Sequence, residues 1–107
     1  MTPNSFRQTI AKSAPPGGLS AALEGLWWAA KGDWDRAHRL VQDDPSREAA
    51  WVHAYLHRVE GDLDNAGYWY RTARQPVASG PLEADWDAIA AALVGEAGSA
   101  KSRRGGE

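Results

Sequence analysis

Leu19, Ala22, Leu23, Leu26, Trp27 and Ala30 recur at i, i+3, i+4, i+7, i+8 and i+11, so apolar positions return once per helical turn along one stripe. Ser20 stands ahead of the stripe as a cap, and Gly32 ends it. Trp34, Ala37, Leu40 and Val41 mark a second helix from Asp33 to about Asp43. Asp44-Pro45 reads as an N-cap followed by proline at the first helical position. It opens a third helix that runs to Glu60 and stops at Gly61. A fourth, from Asp62 to about Gln75, turns Leu63, Ala66, Trp69, Tyr70 and Ala73 to one side. Pro81 starts a fifth, with Leu82, Trp86, Ile89, Ala90 and Leu93 inward. No segment alternates with the period of a strand. The pattern predicts an all-α chain.

Both ends lack such a stripe. Residues 1–18 offer only Phe6 and Ile10 before Ala14-Pro15-Pro16-Gly17-Gly18 breaks any helix, which predicts a flexible arm and linker. Residues 97–107, Gly-rich and basic, predict a disordered tail. The helical domain is then expected over residues 19–96.

Within it, "KGDWDRA" at 31–37 and "EGDLDNA" at 60–66 share one grammar, with glycines at 32 and 61. A glycine in the left-handed conformation ends one helix. The next aspartate accepts hydrogen bonds from free N–H groups at the following helix start and suits its positive end. A small alanine one turn later lets the helices approach. Two tandem antiparallel hairpins result, with the fifth helix as a cap. "GDLDNAGYWYRTA" resembles a tetratricopeptide or Sel1-like repeat: Gly61, Ala66, Tyr70 and Ala73 match the hairpin glycine, the close-packing alanine, the aromatic and the second alanine. Ala54 takes the small-residue position of the preceding helix, and Gly25, Trp28, Gly32 and Ala37 fit in the first hairpin. The offset of the two bends is shorter than the tetratricopeptide length of about 34 residues. The resemblance implies a scaffold or adaptor that binds a peptide or protein.

Composition narrows the function. With 12 Lys+Arg, 14 Asp+Glu and a formal net charge of −2, the chain lacks the concentrated basic field of a nucleic-acid binder. Cysteine is absent, which removes disulfides and thiolate metal sites. No apolar run of about twenty residues exists to span a membrane, and without the apolar core of a secretory signal a cytoplasmic location is the expectation. Six tryptophans in so short a chain supply core volume first and binding surface second. Trp27 and Trp28 point about 100° apart on a helix, so one of them leaves the main stripe, expectedly for the neighbouring hairpin.

The third helix carries the candidate chemistry. Ala49, Trp51, Val52, Tyr55, Leu56 and Val59 fill one broad arc, with Glu60, His53 and His57 beside it; Ala50 and Ala54 leave room for a second close neighbour. His53 and His57 at i, i+4 with Glu60 at i+7 form one stripe that suits zinc or another divalent metal, with open positions for water. His38, Asp62 and Asp64 are the additional ligands within reach of the pattern. The other reading is a polar-aromatic groove of His53, His57, Arg58, Asn65, Tyr68 and Trp69: Arg58 grips an anion, Asn65 a peptide backbone, and the rings give contact area. No serine, cysteine or glycine-rich loop stands beside the histidines to supply a nucleophile or a phosphate cradle. A cofactor-free binding module for a protein or peptide is therefore the first expectation. A metal-binding protein or metal-assisted hydrolase is the second.

Overall fold

A computed structural model describes residues 1–106, with side chains described through residue 95. The chain is all-α, without a strand among the described residues: α1 (Pro3–Gln8), α2 (Ala21–Ala30), α3 (Trp34–Val41), α4 (Arg47–Val59), α5 (Leu63–Thr72) and α6 (Leu82–Gly106). The tail expected over 97–107 lies outside the residues described in full.

The shared grammar of the two bends is shared geometry. Gly32 and Gly61 have φ of 84° and 83°. At the first, Gly32 N–H donates to Ala29 O (3.0 Å) and Asp33 N–H to Trp28 O (3.0 Å). At the second, Gly61 N–H donates to Arg58 O (3.0 Å) and Asp62 N–H to His57 O (2.9 Å). Both are the paired closure in which a left-handed residue satisfies the last carbonyls of a helix. Asp33 and Asp62 then accept from Arg36 N–H (3.2 Å) and Asn65 N–H (3.3 Å), capping the next helix. Across these bends α2 packs on α3 and α4 on α5.

Two other helix ends depart from the sequence reading. α4 begins at Arg47 rather than at Pro45: Ser46 caps it through Ala49 N–H (3.1 Å), while Asp44 accepts from Ser46 N–H (2.9 Å) and shapes the turn before it. Serine is as strong a cap as aspartate, and here it sits directly ahead of the apolar arc. α5 closes on Arg74 in the left-handed conformation (φ 60°), with Arg74 N–H donating to Arg71 O (3.0 Å) and Gln75 N–H to Tyr70 O (2.9 Å). The same closure is built there without glycine.

α4 is the central element, touching α2, α3, α5 and α6. Its arc of Ala49, Val52, Tyr55 and Leu56 joins Leu26, Trp27, Val41, Ile89 and Leu93 in the main core, while Ala54 on the other side packs with Ala66 and Tyr70. At Gly25 an added Cβ would stand 2.9 Å from Val41 Cγ1 and 3.3 Å from the Ala37 carbonyl, so the missing side chain sets how closely α2 and α3 approach. Trp27 is fully buried, whereas Trp28 turns to α3 of its own pair, where the Arg36 guanidinium lies 4.3 Å from its ring centroid. This differs from the expected outlet toward the neighbouring hairpin, because Arg36 offers the indole a cation on its face.

Residues 2–12, part of the 1–18 segment expected as a flexible arm, fold onto the domain. Thr2 and Ser5 cap α1 reciprocally, Phe6 is fully buried and stacks on Trp86 (5.8 Å between centroids), and Arg7 pairs with Asp87. Trp27 Nε1–H donates to Thr9 Oγ1 (3.0 Å), and Lys31 Nζ donates to Ile10 O (2.8 Å) and Lys12 O (2.9 Å). One phenylalanine without a periodic stripe sufficed, because α6 and α2 supply the surface that it covers.

Candidate functional site

The three histidines of the chain, spread over two helices, meet in one seam between α3 and α4. Trp34 begins α3 and is fixed by Nε1–H donation to Leu56 O (2.7 Å) at the far end of α4. His38, one turn later, stacks on Trp34 with centroids 4.7 Å apart and planes 12° from parallel. On α4, His53 and His57 are one turn apart, with ring centroids separated by 4.8 Å. α5 adds Trp69, which stacks on His53 at 4.0 Å and 17°. The imidazoles are thus held between two indoles. His38 Nε2 lies 3.0 Å from His53 Nε2, and one nitrogen from each of the three rings falls within 4.8 Å of the others.

Hydrogen bonding assigns the protons. His57 Nδ1 is 2.6 Å from Glu60 Oε1. An ionised carboxylate only accepts, so Nδ1–H donates and Nε2 is the ring nitrogen left for another partner. The contact between His38 and His53 needs one Nε2–H and one bare Nε2, that is, a single proton between two nitrogens. His53 Nδ1 is buried with no hydrogen-bond partner. Burial, reinforced by the neighbouring His38 and His57, pushes the His53 pKa down to about 4. Burial and His57 also lower that of His38, against the opposing pull of Glu60, Asp35 and Asp43. Both rings are neutral at physiological pH, with lone pairs available.

The expected metal set of His53, His57 and Glu60 is therefore rearranged. His38 joins the two histidines, and Glu60 stands behind His57 rather than beside His53. A second grouping, His57 with Glu60 and Asp62, is more exposed, and its Asp62 is already the cap of α5. The expected groove does not assemble. Arg58 is tucked under α6, donating to Asp85 Oδ2 (3.1 Å) and to the Gly80 carbonyl, with only 11% of its side chain exposed. Tyr70 donates its hydroxyl to the same Asp85 oxygen, and burial together with that bond raises its pKa. Asn65 reaches back to Asp62 (3.4 Å), and Tyr68 is exposed, meeting Trp69 edge-on at 5.1 Å. Of the six groove residues, only His53, His57 and Trp69 share the seam.

Trp34 and Asp85 were not singled out from the sequence as site or network residues. The signal for the first was available: Trp34 and His38 are one turn apart on a helix whose inward face points at the third. A separate hollow of about 570 Å³, lined by residues that include Ile10, Tyr55, Trp86, Arg7, Glu83 and Asp87, contains none of the seam residues. No helix among the described residues is long and apolar enough to cross a membrane. Comparison with family models, with curated proteins and with solved structures gives no match.

Proposed function

We propose that the chain is a small helical binding module whose ligand is taken at the seam of His38, His53 and His57. The observation that carries this reading is the convergence of all three histidines between Trp34 and Trp69. A seam between helices is most stable when filled by apolar side chains, and a buried polar atom without a partner costs about 1–3 kcal/mol. His53 Nδ1 is such an atom. Departures from the sequence pattern are expected at functional or strained sites, and three imidazoles gathered in one seam are such a departure. The expected resemblance to tetratricopeptide and Sel1-like repeats points the same way, toward binding rather than catalysis. A peptide or protein that presents the ligand would meet exposed Tyr68, next to Trp69.

The test is the stability of His53→Leu. If the imidazole serves binding, a leucine of similar size removes the orphaned nitrogen and leaves the midpoint of urea unfolding unchanged or raised. Loss of more than about 2 kcal/mol, the scale of a disrupted core, would make the cluster a folding element and overturn the reading.

A further inference from the structure

We propose that the seam binds one divalent transition-metal ion through an imidazole nitrogen from each of His38, His53 and His57, with Glu60 orienting His57; this rests on the binding-module reading above. The donor set selects the ligand class. Three imidazoles without thiolate suit zinc, cobalt(II), nickel or copper(II), and disfavour calcium and magnesium, which take oxygen.

The spacing fits. Two nitrogens bound to one tetrahedral ion at 2.0–2.1 Å stand about 3.3 Å apart. His38 Nε2 and His53 Nε2 are already at 3.0 Å, so an opening of a few tenths of an ångström replaces their shared proton by an ion. The ring that gives up its Nε2 proton takes one on Nδ1 instead, so both imidazoles stay neutral and no net proton is released. The His57 nitrogen closes on the pair from within the 4.8 Å grouping.

Orientation is provided in advance. Glu60 accepts from His57 Nδ1–H at 2.6 Å, the carboxylate–histidine arrangement that fixes a ligand's tautomer and makes it a better donor. Stacking on Trp34 and Trp69 fixes the planes of His38 and His53. Among the described residues no fourth histidine, cysteine or carboxylate joins the three, so a tetrahedral ion keeps one position for an exchangeable ligand. The ion would also tie α3 to α4, which belong to different helix pairs.

Cobalt(II) chloride titrated into the full, tag-free chain tests the proposal through the visible absorption of low-coordinate cobalt. One equivalent should saturate the signal, and zinc should displace it. His38→Ala and His53→Ala should each abolish the signal; Glu60→Gln should keep the stoichiometry and weaken binding about 10- to 100-fold. Asp62→Asn should change nothing. No saturable signal in the wild type overturns the metal assignment. So does a signal that survives His38→Ala or is lost in Asp62→Asn, since the ion would then belong to the outer His57–Glu60–Asp62 group. Circular dichroism of each variant separates lost binding from lost folding; should His38→Ala unfold, His38→Gln replaces it. A stable His53→Leu protein combined with no cobalt binding removes the metal and leaves the binding seam; a destabilised one removes both.

Discussion

Replacing Asp85 by alanine removes a buried charge that holds α6 to α4 and α5. Asp85 Oδ2 accepts from Arg58 of α4 (3.1 Å) and from the Tyr70 hydroxyl of α5, and the carboxylate is almost wholly buried. Alanine leaves the guanidinium without its counter-charge and the hydroxyl without its acceptor. Removing one partner of a buried ion pair costs about 3–5 kcal/mol. Arg58 keeps the Gly80 carbonyl, which places the expected loss at the lower end, about 3 kcal/mol. For a domain of this size that is a fall in Tm of roughly 10–20 °C, with stability remaining because small domains hold about 5–15 kcal/mol. Urea unfolding followed by tryptophan fluorescence gives the free energy directly. The double variant Asp85→Leu with Arg58→Met should lose less than the two single variants together, since the stranded charge goes with its partner. A loss below about 1 kcal/mol in Asp85→Ala, or additivity in the double variant, would refute the assignment of this network as the anchor of α6.

Two further outcomes follow from the backbone and from the seam. Arg74→Gly should stabilise the chain by about 1 kcal/mol, because an L-residue in the left-handed conformation pays about 1–2 kcal/mol that glycine avoids; differential scanning calorimetry reads the shift. Stability of the metal-free protein should fall as pH drops from about 6.5 toward 4. The His53 pKa is about 4 folded against 6.5 for the free side chain, so in that window the unfolded chain binds more protons and acid favours unfolding. At 1.36 kcal/mol per unit the loss is at most about 3 kcal/mol, reduced where solvent screens the seam. His53→Leu should flatten that limb of the pH profile.

Local periodicity exposed the helices, and the repeated Gly-Asp grammar exposed the bends, because each is decided by residues within a few positions of one another. Gly32 and Gly61 were readable as twins for that reason. Phe6 was not readable as core, since its burial depends on Trp86, eighty residues away. The same limit applies to Arg58. An exposed arginine and one pinned to Asp85 look alike in sequence, and only the position of α6 decides between them. At the seam, His53 and His57 were visible as a pair through helical spacing. Their meeting with His38 depends on how α3 lies against α4, and the role of Glu60 depends on which rotamer reaches His57. Arg74 shows the converse: the closure of α5 is ordinary, but no glycine announces it.

Nuclear magnetic resonance of the imidazole rings reads the seam itself, because the chain has only three histidines and all three lie there. Long-range proton–nitrogen spectra of the tag-free protein are recorded before and after one equivalent of zinc. His57 should start with its proton on Nδ1, and one nitrogen of every ring should shift together and stop shifting at one equivalent. Movement of His57 alone, or gradual drift without saturation, would contradict binding by the three rings together.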